Sequence, residues 1–366
     1  MKIEVTKKAM VAALKKVGRC SEKKNIEHSR IVELNANYDN KLILKKNNFE
    51  NYIVSAIGAT IMEKGSVVVQ YQELMDIVSL MPDGQLNLTL NNELIVKKGT
   101  TIMSLPVQTQ PFTNWKNDEV ISEIILPEVT FKKLIEKVIY SADDKVDKSS
   151  FMSSVNIELK DDMIRMTATN GKKLATASEK IESTGENYIC MIPASQLEDI
   201  SALLSELPGD TMSFIIRKNS YQLKVTDKRI VIAGRFVRGT YPTIINNVLT
   251  QKTKNLIDVD REELYKAVER ASYVSKKGER CPLILDINGS LKLSTNNKRN
   301  SVEDEIFCRI SGDKMRIGVD PAYMKEMLKN YPDERVRIGY DSPKSPIFLY
   351  TDNTEQTFVV FPVMIR

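Results

Sequence analysis

The ten residues Thr167–Thr176, TATNGKKLAT, set an Asn-Gly pair and two lysines between small and β-branched residues. Three readings fit such a stretch: a loop that cradles a phosphate, a hairpin turn, or one copy of something repeated. The phosphate reading fails on spacing. A GxxxxGK[ST] loop would need its first glycine at position 166, which is Met166. A polar Asn-Gly between apolar runs suits a hairpin, and a search for further copies decides whether it is also a repeat.

There are further copies. LKKNNFENYI, MTATNGKKLA and LSTNNKRNSV each run an apolar strand into a polar turn centred on Asn48, Asn170 and Asn297, which lie 122 and 127 residues apart. SLMPDG, SELPGD and KNYPDE each close a helical pattern at Pro82, Pro208 and Pro332, spaced 126 and 124. Pro111, Pro242 and Pro362 mark a third recurring element near the end of each third. Three landmarks at one period predict three like domains over residues 1–122, 123–254 and 255–366.

Each third opens with a start signal and an amphipathic helix. Thr6 is the candidate cap before Met10, Leu14 and Val17, and Pro127 precedes Phe131, Ile135 and Val138. Asp260 is the cap before Leu264, Val268 and Ala271. In this alignment Lys16, Lys137 and Arg270 coincide on the face opposite the apolar stripe. A second helix per third aligns Leu74, Ile77, Val78 and Met81 with Ile200, Leu203, Leu204 and Leu207, and with Met324, Met327, Leu328 and Tyr331. Between helices the pattern alternates in period two, as in GQLNLTLNNELIVKKG, which predicts antiparallel hairpins. Each domain reads as α+β, with two helices and roughly eight strands.

The bulk properties are those of a soluble globular chain. Hydrophobic residues make up 42% and charged residues 28% of 366. No apolar run reaches the ~18 residues of a membrane helix, and the charged start MKIEVTKKAM is unlike a secretory signal. Cys20, Cys190, Cys281 and Cys308 are far apart, which suits thiols of a reducing cytoplasm rather than disulfides or zinc. Net charge is +5, divided as +3, +2 and 0 over the three thirds, with no basic tail. A nucleic-acid role then requires folding to gather positive charge on one face.

The chemistry of catalysis is thin. The one histidine, His28, lies in the polar run EKKNIEHSR and reads as a solvated side chain. That argues against Ser-His or Cys-His activation and leaves Ser-Lys variants open. There is no HExxH, no metal-spaced Cys/His cluster and no cofactor motif. Asp143-Asp144 and Asp161-Asp162 sit in turn-like contexts. A binding or scaffold role leads, with no catalytic residue, metal or cofactor expected.

A chain of this length in three like parts, with matching basic residues on their first helices, resembles the bacterial sliding clamps, the beta subunits of DNA polymerase III. The residues that carry the resemblance run from end to end: MKIEV at the start, TNGKKLA (Thr169–Ala175), GRFVRGTYP (Gly234–Pro242), GVDPAYMKEML (Gly318–Leu328) and VVFPVMIR (Val359–Arg366). The resemblance implies an α+β DNA clamp. Each of its three repeated domains would have two helices and two antiparallel sheets, and two chains would close head to tail as a homodimeric ring around duplex DNA. It implies a processivity factor without an active site of its own, in the cytoplasm at the nucleoid. Its partners would be the polymerase III alpha subunit, the clamp loader and other proteins bearing a clamp-binding peptide, with no membrane.

The resemblance also implies two sets of site residues. Lys16, Lys24, Lys137, Lys148, Arg270, Lys277 and Arg280 would face the DNA, touching phosphates without reading bases. Met152, Thr169, Gly171, Lys173, Leu174, Pro242, Val248, Tyr323, Ser345, Pro362, Val363 and Met364 would line a pocket for a short, partly hydrophobic partner peptide. Several pocket positions depart from the family pattern. Asn170 stands for an Asp, Lys172-Lys173 for His-Arg or Tyr-Arg, and Asn247 and Met364 for arginines. Lysine keeps the charge of arginine but not its planar fork, so Lys172 and Lys173 are where partner preference is expected to differ. The alternative is a clamp homologue that serves as a DNA-binding or protein-interaction module without replication duty.

Overall fold

Each apolar stripe read from the sequence closes into a helix in the computed structural model, which describes residues 1–143, 150–182, 187–205, 211–225, 230–276, 281–297, 299–352 and 355–365. Helix α1 (Lys7–Gly18) starts at Thr6, whose hydroxyl accepts the Ala9 N–H at 3.2 Å, and buries Met10, Leu14 and Val17 completely. The cap matters because the first turn of a helix leaves N–H groups without partners. Helix α2 (Tyr71–Leu80) follows, then α3 (Glu128–Val138) directly after Pro127, burying Phe131, Ile135 and Val138. Next come α4 (Ala194–Ser205), the short α5 (Ile244–Leu249), α6 (Arg261–Lys276) and α7 (Pro321–Lys329). Asp260 caps α6 by accepting the Glu263 N–H at 2.9 Å, and Leu264, Val268 and Ala271 form its buried stripe. The second-helix positions are buried as expected at Leu74, Val78, Met81, Ile200, Leu203, Leu204, Met324, Met327, Leu328 and Tyr331. Ile77 is half-buried, and Leu207 lies outside the described residues. Helix α5 was not legible, because TIINNVL is too short and too polar to show a helical period.

The three asparagine turns are the same structure. In each, the side-chain oxygen accepts the N–H groups two and three residues on: Glu50 and Asn51 for Asn48, Lys172 and Lys173 for Asn170, Arg299 and Asn300 for Asn297. Each asparagine also donates its own N–H to the carbonyl three residues on. An asparagine side chain that imitates a backbone turn is what fixes these hairpins.

Two compact units emerge. Met1–Lys132 and Glu198–Phe236 form one; Lys133–Ser183, Asn187–Leu197 and Val237–Arg366 form the other. In the first, a five-stranded sheet runs in the order Thr60–Glu63, Lys2–Thr6, Gln85–Leu90, Glu93–Lys98, Thr101–Pro106. Its eight-stranded sheet runs Val120–Pro127, Thr211–Arg217, Ser220–Val225, Ile230–Arg235, Asn51–Gly58, Lys41–Asn47, Ile31–Tyr38, Ser66–Gln70. The second unit holds a nine-stranded sheet: Tyr188–Pro193, Ser154–Lys160, Met163–Thr169, Lys173–Lys180, Gln356–Val360, Ile347–Tyr350, Arg335–Tyr340, Asn255–Asp260, Arg309–Ser311. Its four-stranded sheet runs Ser301–Ile306, Leu291–Asn296, Leu283–Ile287, Met315–Val319. The pairing recorded is antiparallel throughout. The middle third of the chain therefore gives strands to both units. Ile230–Arg235 pairs with Asn51–Gly58 in one, and Lys173–Lys180 pairs with Gln356–Val360 in the other.

His28 corrects the sequence reading. It is buried, not solvated, at 3% exposure, because the short 3₁₀ turn Glu27–Arg30 swings it and Ser29 inward. The Ser29 hydroxyl fixes that turn by donating to the Ile26 carbonyl at 2.6 Å and accepting the Lys23 N–H at 2.8 Å. The imidazole lies 4.9 Å from the ring of Phe49 and 5.3 Å from that of Phe112, and its Nε2 accepts the Thr113 N–H at 3.4 Å. Burial pushes its pKa below the ordinary value. Nearby, the only tryptophan, Trp115, lies under the Arg235 guanidinium at 5.1 Å and against Tyr52 at 6.2 Å. Asp161 and Asp162 form an exposed turn with φ of 49° and 59°, as their context predicted.

Candidate functional site

All twelve expected pocket residues fall in the second unit. The hairpin at Asn170 builds one side. The Thr169 hydroxyl donates to the Lys173 carbonyl at 2.7 Å and accepts the Gly171 N–H at 3.0 Å. Gly171 has a φ of +80°, a left-handed conformation that a side chain would strain, and Met152 lies 3.7 Å from where its Cβ would be.

The chain end builds the facing wall. Phe361 donates its N–H to the Lys172 carbonyl at 3.0 Å, and Val363 donates to the Gly318 carbonyl at 2.8 Å. Gly318 is bare for a reason: a Cβ there would lie 2.7 Å from the Val363 carbonyl oxygen. Pinned between these strands, Pro362, Val363 and Met364 border an open cleft of about 840 Å³. That is ample room for several side chains of a bound peptide. Tyr323 reaches the same cleft from α7, which Asp320 caps by accepting the Ala322 N–H at 2.9 Å.

Five of the twelve residues line this cleft: Gly171, Tyr323, Pro362, Val363 and Met364. Sequence reasoning left out other lining residues, among them Pro282, Ile284, Asn296, Asp320, Phe361 and Ile365, and it had Lys172 only as a preference residue. The Asp320-Pro321 pair is a readable helix start, but only the folded topology reveals that Leu283–Ile287 forms part of the wall.

The other expected residues do different work. Lys173 is 4% exposed and bonds the Tyr140 carbonyl and the Glu326 carboxylate, with its ammonium 5.4 Å from the centre of the Tyr323 ring. It is a buried strut to α7 and not a surface on which a peptide can rest. Leu174 is completely buried in a cluster with Ile245, Phe348 and Val359, packed round by Phe151, Tyr241, Val248, Leu249, Tyr350 and Phe361. The Pro242 carbonyl accepts the Ile245 N–H at 3.1 Å and so opens α5. Burial pushes the Tyr241 phenol pKa up, so it stays protonated. The Ser345 hydroxyl bonds that of Ser342 at 2.7 Å, away from the cleft lining.

The expected DNA-facing residues also divide. Lys24 is exposed and Lys16 is half-buried on α1. Lys137 pairs with Glu179 at 3.4 Å. Arg270 makes a two-pronged pair with Asp304 at 2.6 and 3.0 Å. Lys148, Lys277 and Arg280 lie outside the described residues. Exposed Lys8 and Lys15, which the repeat alignment did not single out, share the α1 surface with Lys16.

Known proteins match this arrangement along its whole length. Residues 125–243 match the family described as DNA polymerase III beta subunit, central domain, and residues 246–364 match its C-terminal domain. These matches cover about two thirds of the chain, which belongs to the DNA polymerase III beta subunit family. The beta sliding clamp of Rickettsia bellii is 24% identical over 384 residues, spanning 100% of both chains, and that of Bacillus subtilis is 23% identical over 81% of this chain and 79% of its own. In fold, the crystal structure of the Bacillus subtilis DNA polymerase sliding clamp matches with a TM-score of 0.92 at 22% identity over 100% of both chains. The Pseudomonas aeruginosa sliding clamp bound to griselimycin matches at 0.91 and 21%, again over 100% of both. Among the described residues no helix is long and apolar enough to cross a membrane.

Proposed function

We propose that this chain is a DNA polymerase processivity clamp. Two copies close head to tail around duplex DNA and hold the polymerase III alpha subunit, the clamp loader and other partners by short peptides. It acts in replication, at the nucleoid, as a tether with no chemistry of its own. The observation that carries this reading is the full-length likeness to sliding clamps, joined to a capped helix and an asparagine turn that recur through the chain. The domains are residues 1–122, 123–254 and 255–366, which agrees with a repeat whose landmarks stay in register.

Ring closure has support at two sheet edges. Thr101–Pro106 ends the five-stranded sheet and Ser301–Ile306 ends the four-stranded one, each with one side unpaired among the described residues. An unpaired edge invites another strand. Exposed Ile102 lies on the first edge, Phe307 just beyond the second, and exposed Tyr273 on α6. A second copy that joined the edges head to tail would cover all three, and an interface repeated this way closes a ring. The DNA surface rests on Lys16 and Lys24, with Lys137, Lys148, Lys277 and Arg280 also expected to face DNA and Arg270 adding little because Asp304 already meets its charge. Such a surface holds DNA by charge alone. Partner peptides enter the cleft bordered by Gly171, Tyr323, Pro362, Val363 and Met364, with Met152, Thr169, Lys173, Leu174, Pro242 and Val248 behind its walls and Ser345 expected further along the peptide's path.

Native mass spectrometry at micromolar concentration tests the ring: a mass of two chains is expected. A single-chain mass would overturn it. Once loaded, the protein should stay on circular DNA and run off linear DNA of the same sequence. Equal retention on both would make it a DNA-binding module of another kind.

A further inference from the structure

Resting on the proposed peptide site, we infer that Ile245 of α5 is a built-in occupant of its apolar half. It leaves partners only the adjoining cleft, and so selects peptides whose apolar side chains fit that cleft beside an acidic residue. The two halves meet at Phe361, which packs on the cluster of Leu174, Ile245, Phe348 and Val359 and also lines the cleft. Leu174, expected to line the pocket, is completely buried in a cluster to which α5 contributes Ile245, itself 7% exposed.

Helix α5 has the form of a plug. It spans six residues, Ile244–Leu249, with no side-chain cap from Thr243, and Ile245 is its one buried residue. So short a helix has almost no stability of its own; Ile245 is its only fully buried anchor, with Val248 and Leu249 packed more loosely on the same cluster. Its neighbour Ile244 is 66% exposed and contributes nothing to the cluster.

The open cleft supplies the rest of the preference. Pro282, Ile284, Val363 and Ile365 give it an apolar lining for the side chains of a partner. Its charged lining residues are Lys172 and Asp320, and the Asp320 carboxylate is already engaged by the Ala322 N–H. Lys172 is exposed and forms no ion pair among the described residues, so it is the group that meets a partner's carboxylate.

Fluorescence polarisation with a labelled octapeptide, leucine and phenylalanine at alternate positions beside one glutamate, tests this on the full chain. Wild type should bind it, and Lys172→Glu should weaken binding. Ile245→Ala should bind it on the order of tenfold more tightly, the range for opening an apolar niche to one more side chain. Ile244→Ala should match wild type. If Ile245→Ala keeps the native mass yet binds no more tightly while wild type binds, the plug is overturned and the peptide site stands. If Ile245→Ala does not fold, Ile245→Val is judged by the same rule, with a smaller gain expected. If no form binds the peptide, the peptide site itself falls, and the plug with it.

Discussion

The first and third repeats start with matching helices that differ in one respect. Both α1 and α6 begin at a side-chain cap and bury an apolar stripe. In both repeats the turn asparagine donates its amide to a carbonyl near the C-terminal end of the helix, Asn48 to Ser21 just past α1 at 2.9 Å and Asn297 to Val274 within α6 at 2.7 Å. Their charge is where they part. Helix α1 carries Lys7, Lys8, Lys15 and Lys16 and no acidic residue, and among the described residues only Lys7 is committed, to the Met81 carbonyl and to Asp83. On α6, Lys266 pairs with Glu262, Glu269 with Lys325 and Arg270 with Asp304. Caps and buried stripes set the fold, whereas the outer face can keep its basic residues and still lose their free charge. A repeated basic position is not a repeated free charge.

The largest effect should be shared by both helices. Leu14→Ala and Leu264→Ala each remove a completely buried side chain and should cost about 3 kcal/mol, within the range for such cavities. Urea unfolding measures it, and a cost below about 1 kcal/mol at either site would break the equivalence. Next comes the charge itself. Lys8, Lys15 and Lys16 changed together to Glu should lower DNA affinity at least tenfold and flatten the salt dependence by two to three units of slope, on the order of 0.9 per lost phosphate contact. Arg270→Gln should change affinity less than about twofold, since its charge is already met by Asp304. An equal loss from Arg270→Gln would erase the contrast.

A third difference is titratable. Only the first repeat's turn is topped by a histidine, His28 against Phe49. Burial lowers the folded-state pKa of His28 below its ordinary 6.5, so the unfolded chain takes up the proton first. Its penalty on stability is absent above about pH 6.5 and grows as pH falls from there toward the lower folded value. Melting followed from pH 7.5 to 5.5 should show this slope, and His28→Asn should flatten it. An unchanged slope would assign the acid sensitivity elsewhere. The smallest effect is the exposed Arg270–Asp304 pair, where a double-mutant cycle should give about 0.5 kcal/mol.

All helices but the short α5, the caps at Thr6 and Asp260 and the three asparagine turns were legible because each follows from residues close together in the chain. Thr6 and Asp260 cap within three residues, and Asn48, Asn170 and Asn297 bond within their own turns. Sites made by distant strands were not. Lys173 looked like a pocket cation until Glu326 and the Tyr140 carbonyl closed on it. His28 sits in a polar run, and it is Phe112, far along the chain, that covers it. Pro282 and Ile284 carry no signal until Leu283–Ile287 forms a wall of the cleft. Of the expected pocket residues, Gly171, Tyr323 and Pro362–Met364 line one cleft, whereas Leu174 packs in a buried cluster with Ile245 of α5, a helix too short to read from the sequence.

Trp115 gives the chain a natural optical gauge. It is the only tryptophan, and it is wedged between Tyr52 on one strand and the Arg235 guanidinium on another. Those two strands, Asn51–Gly58 and Ile230–Arg235, are the ones whose pairing stitches the first and middle thirds of the chain into one sheet. A charged, planar group stacked on an indole alters both its emission intensity and its colour. Unlabelled protein therefore reports on that seam, and any event that parts the two strands will register as a change in light.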